Sequence, residues 1–236
     1  MLNEMRMANP GLAFVSKEPH ILDQLLPLDG ASVLELGCGK AEMTRVVAAR
    51  AASVLALEVD EIQLAKNRAI ADLPGVVFER GGAESIPAPD SSIDIVLMFK
   101  SLHHVPMASM DQAFQEIHRV LQPGGLAYIS EPVYAGAFNE ILRLFHDEKL
   151  VREAAFAAEQ RAVSSGLFEL VTQQFFLNPM HFDGFGQFEE QVLNVTHTEH
   201  RLSPALYQEV KSQFERHLTP AGADFEMPIR VDLLRK

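Results

Sequence analysis

An acidic side chain and a glycine-rich turn stand at a spacing that suits a nucleoside ligand. The apolar run Ser32–Leu36 is followed by Gly37-Cys38-Gly39 and then by a helical pattern that begins near Ala41. Glycines let the backbone approach a ligand closely, and the start of a helix offers N–H groups without partners inside the helix. Glu58 closes the next apolar run, 21 residues after Gly37, where a carboxylate can accept hydrogen bonds from ribose hydroxyls. This spacing indicates a site for a ribose-bearing ligand.

The glycine-rich turn differs from the one that binds dinucleotides. The dinucleotide fingerprint G-x-G-x-x-G requires glycine at position 42, where this chain has Glu42. A carboxylate there would repel a pyrophosphate, because both groups are negatively charged. The sequence therefore disfavours a nicotinamide-dependent dehydrogenase and favours a ribose-bearing ligand without a phosphate bridge.

Strands and helices must alternate to position these residues, and the first half of the chain has that pattern. Five apolar runs predict strands, at 32–36, 53–57, 76–79, 93–99 and 126–130. In the helix before the fifth strand, Ser109 and Gln112 have the spacing of a capping box. The alternation predicts an α/β fold with a doubly wound, mainly parallel sheet and helices on both faces.

The second half of the chain departs from this alternation. A long helical pattern follows residue 137, strand character returns at 168–176, and a helix at 202–218 precedes a final strand at 225–234. No linker rich in proline, glycine or serine divides the chain. We therefore expect a single domain over 1–236, made of a ligand-binding core at 30–132, a mostly helical insertion at 133–200, and a last helix and strand at 201–236.

Six short motifs follow one another in order between about Val33 and Pro132. They are Glu35-Leu36-Gly37-Cys38-Gly39, the strand-end Glu58, Gly82-Ala83-Glu84-Ser85-Ile86-Pro87, Ser92-Ile93-Asp94-Ile95-Val96, Leu102-His103-His104-Val105 and Glu116-Ile117-His118-Arg119-Val120-Leu121-Gln122-Pro123-Gly124-Gly125. Together they resemble the class I S-adenosylmethionine-dependent methyltransferases, in the branch that includes the ubiquinone and menaquinone C-methyltransferases. The resemblance implies an enzyme that uses S-adenosyl-L-methionine, with a Rossmann-like, seven-stranded sheet and a helical insertion after the fifth strand.

The resemblance assigns roles to residues after the first two predicted strands. The first loop is expected to contact the amino-acid and sugar parts of the cofactor, through Glu35, Gly37, Cys38 and Gly39. After the second strand, Glu58 is expected to bind the ribose and Val59 to pack on the adenine. Structural roles stay open beside these, since an acid can cap backbone amides and a cysteine can simply pack.

Further roles fall on the loops after the third and fourth strands. Ala83 and Glu84 are expected near the adenine amine, and Phe99 and Lys100 beside the methionine part and the methyl group. The family often has glycine at the position of Ala41, and small or polar residues where this chain has Lys100. Alanine is small, so we expect cofactor binding to be retained.

The catalytic residues are unknown from the sequence. Methyl transfer from a sulfonium is an in-line displacement, and a base is required only if the acceptor must lose a proton. His103, His104 and His146 are weak candidates for that base, and each has a structural interpretation as well. No metal site is predicted, because the group of His146-Asp147-Glu148 and His181 lacks a spacing such as His-Glu-x-x-His.

The insertion at 133–200 is expected to cover the acceptor. Nine phenylalanines between 138 and 188 suggest an apolar or aromatic pocket for a small-molecule acceptor. Which acceptor, and whether oxygen, nitrogen, carbon or sulfur is methylated, is left open by the sequence.

Composition excludes other classes of protein. The single cysteine, Cys38, excludes a disulfide scaffold and a multi-cysteine zinc site. No apolar run approaches the roughly 20 residues that span a bilayer, and the first residues do not resemble a signal peptide, so we expect a cytoplasmic protein without a membrane partner. With 20 Lys and Arg against 32 Asp and Glu, the net charge of −12 argues against nucleic acid as a partner.

Three alternatives remain open at this point. A methyltransferase acting on tRNA or on protein would need a local basic surface, but the sequence has no run rich in Lys and Arg. A non-catalytic cofactor-binding regulator could keep the same fold, since fold does not fix function. The sequence also leaves open a homodimer.

Overall fold

The computed structural model of the protein describes residues 5–194 and 202–236. The helices found there are α1 (Glu18–Leu25), α2 (Glu42–Ala48), α3 (Glu61–Arg68), α4 (Met110–Val120), α5 (Ala137–Leu142), α6 (Lys149–Ser164), α7 (Phe185–Phe188) and α8 (Pro204–Glu215). The strands are β1 (Ser32–Leu36), β2 (Ser53–Glu58), β3 (Val76–Arg80), β4 (Ile93–Phe99), β5 (Leu121–Pro132), β6 (Glu169–Phe182), β7 (Leu218–Thr219) and β8 (Gly222–Arg235). Among the described residues, no helix is both long and apolar enough to cross a membrane.

One sheet organises the molecule, with the strand order β3-β2-β1-β4-β5-β8-β6. The pairs from β3 to β5 are parallel, whereas β8 runs antiparallel to both β5 and β6. The two-residue strand β7 pairs with β8 beside this seven-stranded path. The predicted doubly wound, mainly parallel α/β sheet is therefore confirmed. The strand order reverses between β1 and β4, and ligands of such sheets bind in the crevice beyond the carboxyl ends of the strands at that point.

The central strands are buried on both faces, which explains their nearly continuous apolar sequences. Along β1, Val33 packs on the face covered by α1, α2 and α3, and Leu34 packs on the opposite face with α4 and α6. Helix α4 places Met110, Ala113, Phe114, Ile117 and Val120 in the core, at the helical spacing that the sequence shows. This two-sided packing holds the ends of β1 and β4 rigidly beside each other.

The capping box expected at the start of α4 is wrong. The Ser109 side chain makes no capping hydrogen bond, because a 3-10 turn over Met107–Ser109 leads directly into the helix. Gln112 instead donates from Nε2 to the backbone oxygen of Glu84, 2.8 Å away. It ties the helix to the loop after β3.

The segment expected as a mostly helical insertion at 133–200 contains a long strand. Its helical part is narrower, α5 and α6, and it is followed by β6, which pairs with β8 over most of its length. Strand character at 168–176 is thus the first part of a 14-residue strand. The boundary placed between residues 200 and 201 lies outside the described residues, and Ser203 caps α8 by accepting from the Leu206 amide.

Five phenylalanines of the second half form a core of their own. Five rings pack against one another with centroid distances between 5.0 and 6.3 Å, those of Phe138, Phe182, Phe188, Phe214 and Phe225. All five side chains are buried. They fill the space between α5, β6, α8 and β8 with protein atoms rather than line an open aromatic pocket.

Candidate functional site at the carboxyl edge of the sheet

The glycine-rich turn after β1 is held against the end of β4. Gly37 has φ +75°, and a Cβ on it would lie only 2.8 Å from the Cβ of Ser101. The Ser101 hydroxyl donates to the Leu36 carbonyl at 2.7 Å, which fixes this close approach. Gly39 also has positive φ, +50°, but nothing lies within 4 Å of where its Cβ would stand. At Gly37 the turn therefore packs directly against Ser101, whereas at Gly39 it faces free space that a ligand could occupy.

Ala41 occupies a backbone conformation that favours glycine. Its φ is +63°, at the residue that precedes α2. A left-handed conformation costs a residue with a Cβ about 1–2 kcal/mol. The glycine that the family often carries here is explained by this geometry, and the fully buried Ala41 methyl recovers part of the cost through packing.

The Glu58 carboxylate gathers three backbone amides at the end of β2. Its Oε2 accepts from the Gly39 amide at 2.9 Å, and its Oε1 accepts from the amides of Val59 and Asp60 at 2.8 and 2.9 Å. A carboxylate has about four acceptor positions, so capacity for a further donor is left. Glu58 thus both shapes the glycine turn and can accept a ligand hydroxyl.

Glu35 is a buried acid with an unused oxygen. It points from β1 and is only 2% exposed, and its Oε2 has no hydrogen-bond partner within the protein. Burial, with Glu58 nearby, raises the pKa of Glu35 to about 7. A buried polar atom without a partner is costly, so this oxygen marks a position where a cationic or donor group of a ligand would be favoured.

Cys38 packs and does not act as a nucleophile. Burial raises the pKa of its thiol to about 12, so a thiolate is strongly disfavoured at neutral pH. The buried Asn67 amide lies 3.4 Å from the sulfur and donates at 2.8 Å to the carbonyl of Gly39. Asn67 therefore fixes the turn from α3, a role that the sequence did not suggest.

The loops after β2 and β3 form the outer part of the same edge. Val59 is 62% exposed beside the Glu58 carboxylate, as an apolar surface without a protein cover. Ala83 is buried and Glu84 is half-buried in a tight turn closed by a bridge between Gly82 and Ser85. These residues lie where the sequence places the adenine, and their cofactor roles stay predictions.

The end of β4 carries a second residue in left-handed conformation. Lys100 has φ +55° and its amide donates to the Ser130 carbonyl at 2.7 Å, while Phe99 stays buried against Tyr128. Strain of this kind persists where surrounding structure fixes it and is frequent at functional sites. The turn directs the chain from β4 to Ser101 and on to the two histidines.

His103 is buried between two glutamates. Its Nδ1 lies 2.5 Å from Oε2 of Glu131, the residue near the end of β5, and its Nε2 lies 3.5 Å from Oε1 of Glu148. Burial alone would lower the pKa of His103, but the two carboxylates outweigh it and raise this pKa to about 9. A histidine that holds its proton at neutral pH cannot serve as a free base. His103 is therefore already protonated at pH 7 and cannot accept a proton from the acceptor.

The other two candidate bases lie around the same glutamate. His104 is exposed and its ring stands 4.1 Å from that of His103, centroid to centroid. His146 has its Nε2 3.0 Å from Oε1 of Glu148. Arg152 closes the group from α6, with one nitrogen 2.5 Å from Oε2 of Glu148.

A buried ion-pair network continues behind this group. In the antiparallel pairing of β5 with β8, Arg230 stands opposite Glu131. Arg230 pairs with Glu159 of α6 and with Asp232, and its guanidinium lies 4.5 Å from the centre of the Phe156 ring. Burial raises the pKa of Glu159, and the neighbouring Asp232 adds to that rise.

The arrangement at β1 and β2 suits a cationic nucleoside better than a nucleotide. Glu35 and Glu58 supply negative charge and hydroxyl acceptors, Gly39 leaves open space, and Glu42 opens α2 with a further acid. An uncompensated phosphate would meet carboxylates at each of these positions. These residues fit a cofactor with a ribose and a positively charged amino-acid part.

Comparison with known proteins finds methyltransferases among the relatives of this chain. Residues 34–129 match the family described as a methyltransferase domain. A Mycolicibacterium smegmatis protein, named as a probable S-adenosylmethionine-dependent methyltransferase, is 34% identical over 126 residues, which are 51% of this chain and 47% of that protein. The 27-O-demethylrifamycin SV methyltransferase of Amycolatopsis mediterranei is 38% identical over 107 residues, 43% of this chain and 39% of that protein.

A solved structure extends the likeness in fold to most of the chain. The YcgJ protein from Bacillus subtilis matches with a TM-score of 0.67 and 17% identity, over 92% of this chain and 97% of that one. At that identity the match shows the fold. The chain spans about half the length, or less, of the curated relatives just described.

Proposed function

We propose that this protein, whose residues 34–129 match a methyltransferase domain, is a class I S-adenosylmethionine-dependent methyltransferase that transfers the methyl group of that cofactor to a small organic acceptor. The single observation that carries the proposal is the pair of buried acids at the ends of β1 and β2. Glu35 offers an unpartnered oxygen and Glu58 an incompletely used carboxylate beside an open glycine turn.

The residues at the sheet edge divide the cofactor among them. We propose that Glu35 and the turn Gly37-Cys38-Gly39 hold the amino-acid part, and that Glu58 accepts the ribose hydroxyls. The exposed Val59 packs on one side of the base, and Ala83 and Glu84 bound its edge. Placing two acids beside a sulfonium and an ammonium group lowers the charge repulsion that a basic site would impose.

When bound, the cofactor supplies a methyl group on a positively charged sulfur, which is already a good leaving group. The protein's own part is to align the acceptor with that methyl and to exclude water. Phe99, Lys100 and Ser101 are proposed to form the wall nearest the transfer, because Ser101 contacts the glycine turn directly. Ionised His103 and Glu131 keep this wall in place through the hydrogen bond from the Leu102 amide to Glu131.

The acceptor is proposed to be small and to carry a polar group. Lys100 and His104 follow β4, and His146 lies beside them through its contact with Glu148, whereas five phenylalanines of the second half are packed among themselves. The net charge of −12 disfavours a polyanionic acceptor such as tRNA. Methylation of the acceptor at oxygen, nitrogen, carbon or sulfur requires the same in-line alignment.

Calorimetric titration of the purified full chain with S-adenosylmethionine and with S-adenosylhomocysteine tests the cofactor half of the proposal. Both should bind at submillimolar concentration, and NAD should not. A screen of small metabolites with methyl-labelled cofactor then tests the transfer, read as labelled product together with demethylated cofactor. Binding of neither cofactor form would refute the proposal, and cofactor binding without transfer to any small molecule, but with transfer to tRNA or protein, would refute the acceptor class.

A further inference from the structure

Two histidines and a glutamate converge beside the carboxyl edge of the sheet. One ligand-type atom each of His103, His104 and Glu148 lies within 4.8 Å of the others. His103 and Glu148 are buried, and His104 is exposed. The three residues come from the turn after β4 and from the residue before α6, 45 positions apart in the chain.

The distance between His103 and Glu148 suits a shared cation better than a hydrogen bond. Nε2 to Oε1 is 3.5 Å, beyond the 2.7–3.2 Å usual for an N–H···O bond. Two ligands of a tetrahedral zinc ion, at bond lengths of about 2.0–2.2 Å, stand about 3.4 Å apart. The pair can therefore close on an ion with small adjustments of the side chains.

The opposite side of the His103 ring is already arranged as in a metal site. Its Nδ1 is bound to the Glu131 carboxylate at 2.5 Å. Such a carboxylate fixes the ring orientation, so that Nε2 faces a metal once the metal displaces the Nε2 proton, and most metal-bound histidines have a partner of this kind. Arg152 similarly holds one oxygen of Glu148, Oε2, while the other, Oε1, faces His103 at 3.5 Å and is also contacted by His146 at 3.0 Å, a contact that a bound ion would replace.

The buried network around these ligands carries more carboxylates than guanidinium groups. Four buried acids, Glu131, Glu148, Glu159 and Asp232, are linked by ion pairs to two buried arginines, Arg152 and Arg230, and to His103. These ion pairs hold the ligand-bearing side chains of His103 and Glu148 in place.

We propose that His103, His104 and Glu148 bind one divalent zinc ion, with Glu131 as the positioning residue of His103. Two imidazoles and a carboxylate form a donor set that zinc accepts readily. Three protein ligands leave one tetrahedral position open, and the exposed His104 gives it access to solvent. This part rests on the proposed function: in methyl transfer, the open position would hold an oxygen of the acceptor, since the two histidines follow Ser101 closely in the chain and Ser101 contacts the glycine turn.

The test uses the full chain without a histidine tag, stripped with a chelator and kept free of cofactor. Titration with Co²⁺ should show one ion per chain and the absorption bands of a tetrahedral site, and Zn²⁺ should displace it. His104→Ala removes an exposed ligand without opening the core, and should weaken Co²⁺ binding at least tenfold. Glu131→Gln should weaken it about 10–100-fold while the tetrahedral bands persist.

His181→Ala is the matched control, because that histidine also contacts an acid, Asp224 at 2.8 Å, but lies outside the cluster. Its Co²⁺ affinity should equal that of the unmodified chain. The proposal is overturned if the chain binds no Co²⁺ below about 100 µM, or if binding survives His104→Ala combined with Glu148→Gln in a variant whose thermal unfolding is unchanged. Because metal binding is measured without cofactor, its failure leaves the proposed methyl transfer untouched.

Discussion

Replacing Glu58 by glutamine should weaken cofactor binding and loosen the glycine turn at the same time. The carboxylate accepts three backbone amides, and under the proposed function it also accepts the ribose hydroxyls. Glutamine has the same shape but only one carbonyl oxygen. If that oxygen keeps the amides of Val59 and Asp60, the Gly39 amide must face an NH₂ group, which cannot accept it.

The magnitude follows from the bonds that are lost. One hydrogen bond to a charged acceptor contributes about 1.5–3 kcal/mol, so the free energy of unfolding should fall by about that amount. For a chain of this length, the melting temperature should fall by about 3–12 °C. Loss of one or two further charged bonds to the ribose should raise the dissociation constant at least tenfold, since about 1.4 kcal/mol corresponds to a factor of ten.

Two measurements separate these effects, thermal unfolding without ligand and calorimetric titration with S-adenosylhomocysteine. Glu61→Gln is the matched control. It is the same substitution three residues further on, where the side chain is 73% exposed and only pairs with the exposed Arg80 at 3.3 Å. This control should change neither measurement appreciably, because exposed ion pairs contribute little.

The reasoning is refuted if Glu58→Gln binds S-adenosylhomocysteine within twofold of the unmodified chain. It is refuted equally if Glu61→Gln weakens binding as much, because the effect would then be a general loss of acidic charge. A fall in melting temperature with unchanged affinity would limit Glu58 to shaping the turn.

Three further outcomes are expected. Gly37→Ala should lower the free energy of unfolding by at least about 2 kcal/mol, because the new Cβ would stand 2.8 Å from the Cβ of Ser101 and because φ is positive at this residue. In urea unfolding, the double variant Gly37→Ala with Ser101→Gly should recover part of that loss. Burial raises the pKa of Glu35 to about 7, so ionising its carboxyl destabilises the folded state. This destabilisation is absent below pH 4.5, the pKa in the unfolded chain, and reaches its full size above pH 7. Glu35→Gln should therefore match the unmodified chain near pH 4.5 and exceed it at pH 8 by up to about 3 kcal/mol, and an equal difference at both pH values would contradict this. Lys100→Gly should be more stable than Lys100→Ala by about 0.5–1 kcal/mol because of the positive φ, whereas at helical Lys211 the same comparison should have the opposite sign.

The fold of the first half could be predicted closely because its signals are local. Each strand from β1 to β5 is a short apolar run, and each candidate residue stands within a few positions of a strand end. Parallel strands bring those ends to one edge, so Glu35, Gly37 and Glu58 meet without any knowledge of long-range contacts. The positive φ of Ala41 could also be anticipated, since glycine is the residue that favours this conformation.

The contacts around His103 could not be predicted in the same way because they join distant segments of the chain. Glu131 and Glu148 reach His103 from β5 and from the start of α6, and Arg230 reaches Glu131 from β8. None of these pairs has a periodic or fixed spacing in the sequence. The phenylalanines suggested a pocket because composition alone cannot tell a core from a lined cavity.

In helix α4 the apolar spacing predicted the buried face correctly, but the predicted capping box was wrong. Its apolar spacing fixed the buried face, but Ser109 and Gln112 had partners that the local sequence does not show. The side chain of Gln112 reaches a loop 28 residues earlier, and this tertiary hydrogen bond replaces the local cap.

The central position of β8 between β5 and β6 has a consequence for how the protein is made. Synthesis proceeds from the N-terminus, so residues 30–132 can form their parallel sheet while β8 is still absent. Until Arg230 emerges, Glu131 and Glu159 have no guanidinium partner, and the edge of β5 is open. Pairing over such sequence separations is slow. A nascent chain can therefore form the edge that carries Glu35 and Glu58 well before β6 and β8 are in place, and during that interval the unpaired β5 edge is open to a wrong strand.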